Sequence, residues 1–204
     1  MNSVTPIVSL AELLGKQVDG LEGNEQDKED MRQMLATIAR RGNALTRFVG
    51  SYREVSHLPS PLLQPLDAAT LLEDVLRFMQ TDKNDLRLMP PPAPLRLLAD
   101  KGQVEQVLIN LIKNARENDA KCITLSAGVT PTGRIFLRVT DDGTGIEPEV
   151  QERIFVPFFT TKPGGSGIGL TLARQIMHQH SGRIDVRSCP GEGSIFTLLF
   201  PYNY

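Results

Sequence analysis

Only two cysteines, Cys122 and Cys189, occur in the 204 residues. That count argues against a disulfide-stapled scaffold. Both lie in apolar, strand-like runs, so both are expected to be small buried hydrophobes in a reducing compartment. No apolar run is long enough to span a bilayer, and no signal peptide opens the chain. Neither charge dominates: 22 Lys and Arg face 24 Asp and Glu, for a net charge of −2. Composition therefore makes no case for nucleic acid or an anionic membrane as a partner. There are three histidines. His178 and His180 stand two apart on one expected helix and face different ways, which makes them a poor metal pair. No internal repeat is present. What remains is ordinary for a globular protein, 40% hydrophobic and 23% charged, enough for one large domain or a domain with an appendage.

The first part of the chain reads as helical. Val4, Ile7, Val8, Leu10, Leu13 and Leu14 predict a helix over Asn2–Gly15, with Pro6 near its start and Gly15 as its stop. Residues 18–24 are Gly- and Asp-rich and form a connector. A second helix is expected from Gln26 to Val55. In it Met31, Ile38, Leu45 and Tyr52 recur on a heptad, and Leu35, Gly42 and Val49 repeat on the same period. Such a seam predicts a coiled-coil-like hairpin, although a long helix packed on its own domain would carry the same pattern. Two helices bury little alone, so a homodimer through a four-helix bundle is expected. The Pro-rich stretch His57–Gln64 ends this part. The expected division is a hairpin over 1–57, a linker over 58–65 and a second domain over 66–204.

The second domain alternates helices and strands. Helices are expected at Asp67–Gln80, Gln103–Ala120 and Ile168–His180, with Gly182 past the end of the last. A short strand is expected before Pro90-Pro91-Pro92, and another at Leu95–Ala99. Cys122–Val129 and Arg134–Thr140 form a hairpin about Pro131-Thr132-Gly133. Arg183–Cys189 and Ser194–Phe200 pair about Pro190-Gly191. This order predicts an α+β sandwich, an antiparallel or mixed sheet with helices on one face.

The Gln103–Ala120 helix organises the rest. Asp100 is its expected cap, with Gln103 as reciprocal partner. Val107, Leu108, Leu111 and Ile112 make its apolar face. Asn110 and Asn114 sit one turn apart near that face and point the same way. Taken alone, they read as satisfied core amides. Three glycine-bearing loops follow. Asp141-Asp142-Gly143-Thr144-Gly145-Ile146 comes directly after a strand and alone reads as a turn. Lys162-Pro163-Gly164-Gly165-Ser166-Gly167-Ile168-Gly169-Leu170 opens a helix, whose free N–H groups suit phosphate. It follows neither familiar phosphate fingerprint. Gly191-Glu192-Gly193-Ser194 precedes the last strand and alone is another turn.

In this order the four stretches resemble the N, G1, G2 and G3 boxes of the ATP-binding domain shared by sensor histidine kinases, gyrase, Hsp90 and MutL. Ile154–Lys162, IFVPFFTTK, resembles the F box of histidine kinases, and its wording is nearest to the nitrogen-regulatory type. The resemblance covers about 66–204, and the preceding hairpin resembles the dimerisation and phosphotransfer domain of the same kinases. It implies that Asp141 accepts a hydrogen bond from the exocyclic amine of adenine, with Gly143, Gly145 and Ile146 beside the base. Ser194 matches a hydroxyl that helps hold that aspartate and a water. Asn114 matches the residue whose side-chain oxygen coordinates Mg²⁺. Asn110 stands where the ATPases of the superfamily carry a water-activating glutamate. An amide is no base, so slow hydrolysis and transfer of the γ-phosphate of ATP to an outside acceptor are expected. Phe158 and Phe159 would seat a lid spanning Glu147–Ser166, or serve as ordinary core aromatics. That lid, rich in glycine, is expected to be mobile without nucleotide. Thr161, Lys162, Gly165, Gly167, Ile168, Gly169 and Leu170 complete the expected nucleotide contacts, although Lys162, a lone lysine at a loop edge, reads more often as a solvated side chain.

The same resemblance implies a response regulator as partner and a cytoplasmic catalytic core, whether or not the parent protein is anchored in a membrane. Its acceptor pattern, His-Glu-x-x-Asn followed by Thr-Pro, is matched only in its tail by Asn2 to Pro6. The acceptor would lie ahead of Met1, so the chain is expected to bind ATP without labelling itself. His57, His178 and His180 do not replace it. The rival readings are an ATPase or Ser kinase of the superfamily and a non-catalytic ATP-sensing dimer that docks a partner.

Overall fold

The computed structural model describes residues 4–18, 24–56, 58–80, 85–91, 93–162 and 165–201. The chain divides into two units, Met1–Ser56 with Lys162–Ser166, and His57–Thr161 with Gly167–Tyr204.

The first unit holds α1 (Val4–Gln17) packed against α2 (Glu25–Ser56). Pro6 stands in the first turn of α1, where no intrahelical N–H bond is required of it. Gly15 does not stop the helix as expected, since α1 runs on to Gln17. A mid-helix glycine costs about 1 kcal/mol, and burial of Val8, Ala11 and Val18 offsets it. The side chain of Asn24 accepts the Gln26 N–H at 3.0 Å and so begins α2. Of the heptad seam, Met31, Ile38 and Leu45 are exposed on the single chain, while Leu35 and Val49 are half-buried. The Tyr52 side chain and His57 lie outside the described residues.

The second unit contains β1 (Gln64–Asp67), α3 (Ala68–Met79), β2 (Asp85–Met89), β3 (Arg96–Ala99), α4 (Lys101–Glu117), β4 (Cys122–Val129), β5 (Ile135–Asp141), α5 (Pro148–Gln151), α6 (Gly169–Gln179), β6 (Arg183–Cys189) and β7 (Gly193–Leu199). Five strands form one sheet in the order β2-β4-β5-β7-β6. β2 runs parallel to β4 and the other neighbours are antiparallel. The sheet is therefore mixed, as the α+β reading expected. Alternate residues Ile123, Leu125, Leu137, Val139, Phe196 and Leu198 are buried, as the two-residue strand period requires. Buried with them are Leu71, Leu72 and Val75 of α3, Val107, Leu108, Leu111 and Ile112 of α4, and Ile176 and Met177 of α6. Each such aliphatic side chain contributes about 1.5–3 kcal/mol. β3 stays out of this sheet and pairs instead with β1 in a two-stranded ribbon, a strand not expected where residues 58–65 read as a linker.

Two local expectations change. Asp100 does cap α4, accepting the Gln103 N–H at 3.1 Å. The Gln103 side chain, however, donates to the Pro59 carbonyl at 3.0 Å and closes no reciprocal box, because the incoming chain lies nearer than the cap. Cys122 is partly buried and Cys189 is exposed, whereas both were expected inside. Cys189 ends β6, an edge strand, where a side chain can face water.

His180 is buried and satisfied on both ring nitrogens. Nδ1 donates to the Ile176 carbonyl at 2.8 Å, and Nε2 accepts the Asp100 N–H at 3.0 Å. The end of α6 is thereby fastened to the start of α4.

Candidate nucleotide site

The site is assembled along one side of α4. Asn110, Asn114 and Asn118 recur at four-residue spacing and line one face. At 1.5 Å per residue they cover about 12 Å of helix. Each end of that row meets a glycine.

At the first end, a β-carbon on Gly169 would overlap the Asn110 amide. Gly169 opens α6, and the preceding Ile168 is buried and offers no side-chain cap. The leading N–H groups of α6 are thus left for another acceptor. Asn110 Nδ2 is itself buried and has no hydrogen-bond partner among the described residues. Leaving such a donor unsatisfied costs about 1–3 kcal/mol. Asn114 is half-buried one turn further along.

At the other end, the Asn118 carbonyl accepts the Thr144 N–H at 3.0 Å. A β-carbon on Gly143 would meet that same carbonyl at 2.6 Å, so the Asp141–Ile146 loop presses on the end of α4. Asp141, at the end of β5, is buried, and its Oδ1 accepts the Gly143 N–H at 3.0 Å. Ser194 of β7 is its cross-strand neighbour and is buried beside it. Asp142 has a different task. Its carboxylate accepts the N–H groups of Cys122 and Lys121, both at 2.8 Å. The Cys122 N–H foremost holds it below the usual carboxylate range. One member of the Asp-Asp pair is an inward acceptor and the other anchors β4.

The loop is fastened on its far side to the β6–β7 turn. The Gly191 N–H donates to the Thr144 carbonyl at 2.8 Å. Gly145 has φ +73°, and a side chain there would run into the Cys189 carbonyl. The Ile146 N–H donates to Ser188 Oγ at 2.9 Å, and Gln151 Nε2 donates to the carbonyls of Ile146 and Ser188 at 2.9 and 2.8 Å. Ser188, Gln151 and Asn118 were not expected at the site. Ser188 and Gln151 act through side-chain hydrogen bonds to the backbone of distant segments, which no spacing signals, whereas Asn118 continues the four-residue spacing of Asn110 and Asn114 and could have been found from it.

The remaining expected residues are spread more widely. Phe158 has φ +66°, donates its N–H to the Gly167 carbonyl at 2.9 Å and is 38% exposed, so it is not a core aromatic. Phe159 is half-buried under the Arg153 guanidinium, 4.4 Å from its ring centre. Leu170 is half-buried and Thr161 exposed. Lys162 and Gly165 belong to the first unit, where the Gly165 N–H donates to the Lys162 carbonyl at 3.2 Å. Pro163 and Gly164 of the expected lid lie outside the described residues.

Comparison with known proteins gives the chain a family. Residues 99–204 match the family described as histidine kinase-, DNA gyrase B- and HSP90-like ATPase. The chain is 33% identical over 179 residues to the sensor histidine kinase ZraS of Escherichia coli K12, covering 85% of this chain and 38% of ZraS. It is 31% identical over 211 residues to the sensor-like histidine kinase SenX3 of Mycobacterium tuberculosis, covering 97% of this chain and 50% of SenX3. The chain thus spans half or less of either relative. Among solved structures, the nucleotide-free catalytic domain of histidine kinase ThkA superimposes with a TM-score of 0.61 at 29% identity, over 68% of this chain and 95% of that domain.

Proposed function

Because the chain belongs to the histidine kinase-, DNA gyrase B- and HSP90-like ATPase family, we propose that the α4 face is the ATP site of a two-component sensor histidine kinase. The observation that carries this reading is the asparagine row between the Asp141 loop and the uncapped start of α6. Asp141 would bind the exocyclic amine of adenine, while Gly143, Gly145 and Ile146 form the floor of that pocket. Asn110, with its unpartnered Nδ2, would donate to phosphate oxygen beside the first amides of α6 at Gly169 and Leu170.

Mg²⁺ fits the same residues. Among the described residues no cluster of three or more His, Cys, Asp or Glu forms a metal cage, so a bound ion would rest on phosphate oxygens, waters and the Asn114 amide oxygen. The ion would supply neutralisation of phosphate charge. Asn110 cannot take a proton from water, so the chain's own residues hold and orient the triphosphate for an external acceptor. The acceptor is a histidine, and a response-regulator aspartate receives the group next. Residues 1–57 would form the dimerisation and phosphotransfer hairpin, 58–65 the linker and 66–204 the catalytic domain. Phe158 and Thr161 would belong to the lid that closes over the phosphates, and Gly167 would lie beside it ahead of α6.

Asp141→Asn tests the reading. The Gly143 N–H claims the oxygen that the amide retains, so an NH2 donor replaces the acceptor facing the adenine amine, and ATP affinity is expected to fall at least about tenfold, with the thermal midpoint held. Calorimetric titration showing the same ATP affinity in the variant would remove Asp141 from the site.

A further inference from the structure

Ser188 closes the base-recognition loop, and its hydroxyl is fully engaged. It donates to the Gly193 carbonyl at 2.7 Å, accepts the Ile146 N–H at 2.9 Å and lies 2.9 Å from Ser194 Oγ. A hydroxyl has one hydrogen and two acceptor positions. A carbonyl only accepts, so the single Ser188 hydrogen is committed to Gly193. Ile146 fills one lone pair. The contact with Ser194 is then a donation from Ser194 into the other. The only hydrogen on Ser194 is in this way turned toward Ser188.

Ser194 stands directly across from Asp141 in the β5–β7 ladder, and both are buried. Residues directly opposite in an antiparallel pair share a face. On that face the carboxylate offers lone pairs, and the Ser194 hydroxyl, its hydrogen spent, has only lone pairs left, so Ser194 gives Asp141 no hydrogen, unlike the expectation that this hydroxyl holds the aspartate. We propose that Ser188 is a positioning residue for nucleotide selectivity: by fixing the direction of the Ser194 hydroxyl, it makes the wall beside Asp141 a surface of acceptors alone. Such a wall takes the two-hydrogen amine of adenine and refuses the carbonyl that guanine carries in its place. The inference rests on the nucleotide reading above. Gln151 holds the same loop through the carbonyls of Ile146 and Ser188 without touching either hydroxyl.

The test is calorimetric titration of ATP and GTP into the whole chain. The unaltered protein is expected to prefer ATP. Ser188→Ala frees the Ser194 hydrogen to meet a carbonyl, and the ATP-to-GTP affinity ratio should fall at least about tenfold, one hydrogen bond lost and one gained. Ser188→Thr keeps the hydroxyl and should keep the ratio. In a Ser194→Ala background, Ser188→Ala should leave the ratio unchanged. Gln151→Leu loosens the loop and should weaken both nucleotides alike. If Ser188→Ala does not fold, Ser188→Cys replaces it, since a thiol is a weak donor and acceptor. Equal weakening of ATP and GTP by the Ser188 variant would make the residue merely structural and overturn the inference. Equal binding of both nucleotides by the unaltered chain would overturn it while leaving the ATP site standing. No binding of either would overturn both.

Discussion

The side-chain amide of Asn110 occupies the space that a β-carbon on Gly169 would need. The contact joins the middle of α4 to the first residue of α6. It leaves the unpartnered Asn110 Nδ2 beside a helix start that no side chain caps. Gly169→Ala isolates this approach. Alanine is the better helix former, by up to about 1 kcal/mol in a helix interior and less at this first position, so α6 itself should not lose. Asn110 must nevertheless move, and ATP affinity is expected to fall at least about tenfold. Titration together with a thermal melt separates the two effects, and an unchanged affinity would show that this close approach does not shape the phosphate end.

Asn114 should report on the metal. In the unaltered chain, chelating Mg²⁺ is expected to weaken ATP binding. Asn114→Ala removes the one protein oxygen assigned to the ion, so its ATP affinity should respond far less to the chelator. Titrations with and without Mg²⁺ measure this directly, and an undiminished response in the variant would move the ion elsewhere.

Asp100 links stability to pH. Its carboxylate accepts N–H groups from Leu62 at 2.9 Å and Gln103 at 3.1 Å. The Leu62 bond foremost lowers its pKa, against the opposing effect of burial. A depressed carboxylate contributes stability that is complete above its unfolded pKa, about 3.9, and is lost as pH falls through the lower folded value. Asp100→Ala should cost about 1–2 kcal/mol at neutral pH, as loss of a helix cap does. Its deficit should shrink in acid. Denaturant melts across pH 2–7, a range chosen around the ordinary carboxylate pKa of about 3.9, test this, and a deficit constant throughout would contradict it.

The hairpin seam offers a fourth test. Met31, Ile38 and Leu45 are exposed on a single chain at heptad spacing, the pattern of an interhelical seam. Ile38→Glu would bury a charge in a paired seam. Sedimentation should show a dimer for the unaltered chain and a monomer for the variant, and equal masses would rule this face out as the interface.

Much of the second unit was legible along the chain. The spans of α3, α4 and α6, both hairpins and the Asp100 cap follow from periods, turn residues and bonds to near neighbours. The glycine loops could be seen as well, although singly each read as a turn and only their order pointed to nucleotide. Gly15 shows where such reading stops. A glycine is a local stop signal, and burial of Val8, Ala11 and Val18 overrode it.

The amino-acid order alone determined which segments become helices and strands and which residue types reach the loops, because those choices are made over a turn or a few residues. Only the folded molecule decided that β1 pairs with β3, that Gln103 turns to Pro59, that Asp141 faces inward while Asp142 anchors β4, and that Ser188 meets both Ile146 and Ser194. Each of these selects one partner among several polar groups of similar chemistry. Which of them arrives within hydrogen-bond reach is set by how the layers pack, and no local pattern encodes that.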